Sequence, residues 1–206
     1  MLLYYVAWFL LRAIILPVFG RWRVIGRCNI PRTGGVVLAP NHISYADPPV
    51  VGAASRRQVR FMAKSELFAV PIFGALIRAV GAFPVKQATA DRAALKQAIS
   101  LLETGEVVCI FPEGTRSPGG TLLKAELGIS MIAMKSRAPI IPVALLGSDK
   151  LLPPHSPFLR FAKVRVRIGK PVHIDDLYDR GSDRDALEEI GRRVMAAIAE
   201  LKGEGL

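Results

Sequence analysis

Three short apolar runs constrain most strongly what this chain can fold into. They are Val36-Val37-Leu38-Ala39, the segment from Glu106 to Phe111, and the segment from Ile140 to Leu145. Each is too short for an independent helix and is rich in β-branched residues. Each is also apolar at consecutive positions rather than alternate ones, so each reads as a strand covered on both faces. Gly34-Gly35 opens the first run and Pro40 closes it, while Pro139 precedes the third. A strand buried on both faces needs a layer on each side. The chain supplies one in Asp91 to Leu102, where Ala94, Leu95, Ala98, Ile99 and Leu102 form a single helical stripe that Gly105 ends. Lys124 to Ser136 and Asp183 to Leu201 have similar helical patterns.

Further strands are expected at Trp22 to Arg27, Val59 to Met62 and Gly81 to Lys86. Phe161 to Ile168 alternates Val164, Val166 and Ile168 with Lys163, Arg165 and Arg167, the pattern of a strand with one wet face. Strands alternating with helices define an α/β fold, here a mixed, mostly parallel sheet flanked by helices. With 206 residues and a 51% hydrophobic composition, the chain suits one domain, placed at residues 21–206, and it contains no internal repeat.

Residues 1–20 differ from the rest. Leu2 to Phe19 is apolar apart from Arg12 and carries Tyr4, Tyr5, Trp8 and Phe9. Eighteen helical residues reach about 27 Å, marginal for a bilayer core of about 30 Å. A charge near the middle disfavours a simple span. Aromatics at one end, and Arg21, Arg23 and Arg27 just beyond the other, favour a helix lying in or shallowly inserted into a membrane interface. The formal charge of +11 is uneven: from Ile174 onward nine acidic residues face five basic ones, leaving +15 on residues 1–173. A basic body suits an anionic membrane surface, nucleic acid or phosphorylated substrates. A nucleic-acid binder should interleave stacking aromatics with its cations, but six of the fifteen aromatic residues fall in the first twenty-two positions. The pattern points to lipid and not to nucleic acid. Cys109, inside an apolar run, is expected to be a buried thiol in a reducing compartment.

Two blocks carry chemistry. In Asn41-His42-Ile43-Ser44-Tyr45-Ala46-Asp47-Pro48, an imidazole and a carboxylate stand five residues apart. An imidazole takes a proton near neutral pH, and a carboxylate on its second nitrogen fixes the tautomer and stabilises the cation. Asp47-Pro48-Pro49 also reads as a helix start with Asp47 as N-cap. The second block is Phe111-Pro112-Glu113-Gly114-Thr115-Arg116-Ser117. Gly114 permits a turn of backbone N–H groups, Thr115 brings a hydroxyl, and Arg116 brings a fork of donors, which together suit a phosphate. Glu113 is expected to hold Arg116, bind a substrate hydroxyl or fix the loop. Both blocks follow strands, where the crevice of an open α/β sheet lies. Lys64 and Lys86 also follow strand candidates. No G-x-S-x-G elbow is present, so direct attack by a substrate hydroxyl is more economical than an acyl-enzyme. His42, His155 and His173 have no metal-ligand spacing, and no metal or cofactor is expected.

Taken in order, Asn41-His42 with Asp47, Gly81-Ala82-Phe83-Pro84-Val85, Phe111 to Ser117, and Ala138-Pro139-Ile140-Ile141-Pro142-Val143 resemble the four motifs of the glycerophosphate acyltransferase superfamily. The nearest group is the bacterial 1-acyl-sn-glycerol-3-phosphate acyltransferases. The resemblance runs from about Ile30 to Leu146. It implies a membrane-associated enzyme on the cytoplasmic face. Such an enzyme would transfer an acyl group from acyl-CoA or acyl-carrier protein to the sn-2 hydroxyl of lysophosphatidate, giving phosphatidate. The resemblance implies a base at His42, its orienter at Asp47, and a phosphate site at Glu113, Gly114, Thr115 and Arg116. Lys64 joins that site through Lys64-Ser65-Glu66-Leu67-Phe68. Asn41, Lys86 and Gln87 are auxiliary candidates. Gln87 stands where the family usually has arginine, which admits a different lysolipid acceptor such as a lyso-ornithine lipid.

Overall fold

The three apolar runs lie side by side at the centre of a sheet. The computed structural model describes residues 2–86, 91–154, 156, 158–181 and 183–203. Its strands are β1 (Arg23–Ile25), β2 (Val36–Pro40), β3 (Val59–Lys64), β4 (Phe83–Val85), β5 (Val107–Cys109), β6 (Ile140–Leu146) and β7 (Arg165–Ile168). They form one sheet in the order β1-β7-β6-β2-β5-β3-β4. The five strands from β6 to β4 are parallel, and β7 pairs antiparallel to β6. Edge strand β1 runs parallel to β7, with Arg23 opposite Arg165. The sheet is therefore mixed and mostly parallel. In the central register Val37 faces Val108 on one side and Ile140 on the other.

Successive residues of these strands point to opposite layers. Val37, Ala39, Val108 and Ile140 pack against α5 (Arg92–Glu103), α6 (Leu127–Ser136) and α8 (Arg184–Lys202). Val36, Leu38, Val107, Cys109 and Ile141 pack in the other layer with α3 (Asp47–Ala54) and the N-terminal helix. Cys109 is fully buried, and desolvation raises its thiol pKa well above the ordinary value, as expected of an inert core residue. Two shorter helices complete the fold, α4 (Phe73–Ala79) and α7 (Ser148–Leu151).

The N-terminal segment begins as α1 (Leu2–Leu10), passes through a π turn (Leu11–Ile15) and continues as α2 (Leu16–Gly20). At the π turn Leu16 N–H reaches back five residues to the Leu11 carbonyl. Pro17, which has no N–H to donate, follows directly and accounts for the interruption. The segment is more than an appendage: Leu16 is 1% exposed among Val50, Val51 and Val164, and the Trp8 indole donates to the Ser55 carbonyl. Its opposite side exposes Tyr5, Val6, Phe9, Leu10, Ile14 and Val18. Arg12 is turned off that stripe and stacks on Trp8 at 4.7 Å. Among the described residues no helix is long and apolar enough to cross a membrane.

The two boundaries that move furthest from the sequence expectation do so for physical reasons. The strand expected from Phe161 joins the sheet only at Arg165, because the amides of Ala162 and Val164 donate to the Phe19 and Gly20 carbonyls at the end of the N-terminal helix. Helix α6 begins at Leu127 rather than Lys124, because the extended Glu126 donates its amide to the Pro112 carbonyl.

Candidate active site

Strand β2, which lies between β6 and β5, ends at Pro40 and sets Asn41 and His42 at the carboxyl edge of the sheet. Asn41 is fully buried and its side chain serves the scaffold. Its amide donates to the Leu145 carbonyl at 3.1 Å and its oxygen accepts from Leu145 N–H at 2.7 Å. This pair continues the β2–β6 ladder one step past the strand end, so the backbone before His42 is fixed.

Asp47 is fully buried at the first turn of α3. It is not the N-cap expected from the sequence, a position held by Ala46. Pro49 has no N–H, so one of the two amides that a capping carboxylate would seek is missing, and the Val50 amide bonds instead to the Ala46 carbonyl at 3.0 Å. The carboxylate turns back on the preceding loop instead. Its Oδ2 lies 2.8 Å from His42 Nδ1 and accepts the amides of Ile43 and Ser44 at 2.7 Å each. Its Oδ1 accepts the hydroxyl of buried Ser148 at 2.5 Å. A carboxylate placed to accept these bonds suits the tautomer in which His42 Nδ1 donates and Nε2 faces away from Asp47. The Nε2 lone pair is left for another partner, and no protein group meets it among the described residues. The imidazole stacks on Phe111, centroids 3.9 Å apart and planes 26° apart, which fixes the second ring axis.

The loop after β5 is locked to the His42 loop by Glu113. This carboxylate is 3% exposed and accepts the His42 amide at 2.9 Å and the Leu123 amide at 3.1 Å. The His42 carbonyl in turn accepts the Ser117 amide at 2.8 Å. Burial raises the Glu113 pKa, and the two amide bonds partly oppose that shift. Of the roles expected for Glu113, loop fixation is the one these two backbone bonds display; neither oxygen is bonded to Arg116 among the described contacts. At Gly114 the φ of +66° and a Cβ position 2.9 Å from Glu126 Cγ leave room only for glycine. Thr115 is exposed beside it. Arg116 stacks on Tyr45 at 3.6 Å and donates to its hydroxyl at 2.8 Å, so the guanidinium is parked against the His42 loop.

Lys64 ends β3, exposed and without a hydrogen-bond partner among the described residues. The register that sets Phe61 opposite Cys109 carries it past the end of β5, toward the Glu113 loop. Lys86 follows β4, its amide bonded to Asp91 at 2.9 Å. Gln87 and His155 lie outside the described residues, and His173 pairs with Asp175 at the surface. No group of metal-binding side chains occurs among the described residues. Sequence reasoning missed Ser148 and Tyr45. Ser148 stands 101 residues from Asp47 and is aimed by Gly147, whose φ of +81° brings it within contact of the Lys163 carbonyl. Tyr45 lies inside the first block, but nothing in the sequence pairs it with Arg116.

A family model described as Acyltransferase matches residues 21–146, more than half of the chain. The chain belongs to the Acyltransferase family. It is 32% identical over 192 residues to the 1-acyl-sn-glycerol-3-phosphate acyltransferase of Bacillus subtilis, spanning 93% of each chain. It is 30% identical over 187 residues to the chloroplastic enzyme LPAT1 of Arabidopsis thaliana, covering 89% of this chain and 50% of that one. The crystal structure of the 1-acyl-sn-glycerophosphate acyltransferase PlsC from Thermotoga maritima superposes with a TM-score of 0.76 at 30% identity, covering 97% of this chain and 79% of that one. This chain is an acyltransferase of the same fold.

Proposed function

We propose that the protein transfers a fatty acyl group from acyl-CoA or acyl-carrier protein to the sn-2 hydroxyl of 1-acyl-glycerol-3-phosphate, giving phosphatidate. The observation that carries the mechanism is the free Nε2 of an imidazole whose Nδ1 is held 2.8 Å from a buried, fully bonded carboxylate. The acceptor hydroxyl gives its proton to Nε2 while its oxygen attacks the thioester carbonyl. Asp47 stabilises the imidazolium, the C–S bond breaks, and His42 returns the proton to the departing thiolate. Lys64 and Arg116 are the cations for the acceptor phosphate, with the backbone turn at Gly114 and Thr115 between them. Holding the phosphate fixes the distance from the hydroxyl to His42. The names of the relatives support lysophosphatidate as acceptor. An amino-acid lysolipid, suggested only by Gln87, is the alternative.

The outward stripe of the N-terminal helix supports a position on the cytoplasmic face of the membrane, where both the lipid acceptor and the thioester donor are within reach. Its one charge, on Arg12, is turned aside from that stripe. A His42→Ala variant is expected to lose transfer by at least about 10²-fold, the lower range for general-base catalysis, with an unchanged circular dichroism spectrum. Near-normal turnover of lysophosphatidate by this variant would remove His42 from the chemistry. Turnover of lyso-ornithine lipid but not lysophosphatidate by the native enzyme would change the acceptor.

A further inference from the structure

The exposed apolar side chains are not scattered. Outside the N-terminal helix, every large hydrophobic residue exposed among the described residues, except Ile25, lies on a connection leaving the carboxyl end of β2, β3, β5 or β6. Those are the strand ends that build the active site. Two connections carry most of them. The segment after β3 presents Ile72, 87% exposed, with Phe73 and Leu76 beside it. The segment between α7 and β7 presents Phe158 and Phe161, 76% and 74% exposed.

Neither display is a floppy tip. Ile72 has φ 64° and ψ −55°, and the Phe73 amide bonds to the Pro71 carbonyl at 2.6 Å across it. This is the strained form of the three-residue turn, rare for any residue and least suited to a β-branched one. The strain holds an isoleucine out in solvent, an arrangement with no folding benefit and consistent with a functional one. Phe161 stacks on Phe19 at 5.1 Å, and the Ala162 amide bonds to the Phe19 carbonyl at 2.9 Å. The second segment is therefore continuous with the end of the N-terminal helix, next to exposed Val18.

The strand order places the end of β2, and so His42, between the ends of β6 and β3 from which these two segments leave. The cations Lys64 and Arg78 flank the first segment, while Arg160 lies within the second and Lys163 follows it. Apolar residues ringed by cations match the acyl and headgroup layers of an anionic bilayer. A soluble acidic protein would match the cations but not exposed phenylalanines.

We infer that the Ile72 and Phe158–Phe161 segments are two docking loops that insert into an anionic phospholipid bilayer on either side of the active-site crevice, so that the lysolipid enters without leaving the membrane. The inference rests on the proposed membrane position and adds two elements to the N-terminal helix.

The test uses the full-length protein, with acyl-CoA as donor and vesicles of phosphatidylcholine containing phosphatidylglycerol. Both target side chains are exposed and asparagine tolerates the positive φ at 72, so an Ile72→Asn/Phe158→Ser double variant is expected to melt no lower than the native protein does. Its vesicle affinity, read by co-sedimentation, is expected to fall about tenfold or more, since each lost side chain removes burial worth a sizeable fraction of a decade or more. Turnover of lysophosphatidate embedded in vesicles falls with it, while turnover of a short-chain monomeric lysophosphatidate is unchanged. A Phe9→Ser/Val18→Ser variant reports on the helix separately. Native-like vesicle binding by the loop variant, with binding lost in the helix variant, overturns the loops and leaves the membrane position standing. Failure of the native protein to bind vesicles overturns both. A dimer that the loop substitutions dissolve, with vesicle binding intact, would assign the loops to a second copy of the chain instead.

Discussion

At the scale of single residues, the site depends on how Asp47 is satisfied. A buried carboxylate is costly unless its lone pairs are met, and here the two oxygens are divided. Oδ2 orients His42 and accepts two loop amides, and Oδ1 accepts only the Ser148 hydroxyl among the bonds described. Ser148 is fully buried, so on the proposed mechanism it would act through Asp47 as a positioning residue. A hydrogen bond to a charged group contributes roughly 1.5–3 kcal/mol, which is tenfold or more in rate if it is lost only in the transition state. Ser148→Ala is therefore expected to lower kcat by about tenfold or more. KM for both substrates should be unchanged, because the hydroxyl is fully buried against Asp47. A raised KM with normal kcat would mean that the serine instead shapes a substrate pocket.

At the scale of elements, the site consists of two loops bound to each other. The sequence shows why each loop leaves a strand: the apolar runs end at Pro40 and at Phe111-Pro112, and in a parallel sheet those ends share one side. It does not show the cross-links, because they depend on which amides fall within bonding distance after folding. Glu113 illustrates this. Its string reads as a phosphate loop, yet its side chain fastens His42 to Leu123. Asp47 illustrates the converse: its two following prolines were legible as a helix start, but the capping role assigned with them is lost because the carboxylate bonds the His42 loop and Ser148 instead. A Glu113→Gln variant would place an amide donor against one of the two backbone N–H groups. Leaving a buried donor unmatched costs about 1–3 kcal/mol, so the melting temperature should fall by several degrees for a chain of this size, roughly 2–4 °C per kcal/mol. Transfer should fall as well, through a displaced His42. The pH dependence has a definite sign. Because burial raises the Glu113 pKa above its ordinary 4.5, the folded state binds more protons than the unfolded one in that window. This group's contribution therefore declines as pH rises from the ordinary to the raised value. The glutamine variant should lack that decline, and identical pH–stability curves for both proteins would show that the carboxylate is not desolvated.

At the scale of the whole molecule, charge and hydrophobic display act on the same partner. The +15 on residues 1–173 and the −4 beyond Ile174 are set out in the sequence. The fold gives the acidic end its own partners. Arg193 of α8 is clipped between Asp176 and Glu189, and this pairing with Arg192 and Arg193 lowers the Glu189 pKa from 4.5 to about 2. The C-terminal acidic residues thus pair in part with arginines of the same end, so they do not draw on the cations of the basic body. Attraction to an anionic leaflet is worth about 1 kcal/mol per basic residue near the surface. Its range shrinks from about 10 Å at 0.1 M salt to about 3 Å at 1 M. Apolar insertion is not screened in this way. Co-sedimentation across that salt range should therefore separate the two contributions. Affinity for vesicles rich in phosphatidylglycerol is expected to fall by about tenfold or more, as the loss of one or two such interactions requires. Affinity for pure phosphatidylcholine vesicles should start lower and change little. Salt-insensitive binding to both would assign docking to the apolar residues alone and leave the +15 body without a role at the membrane.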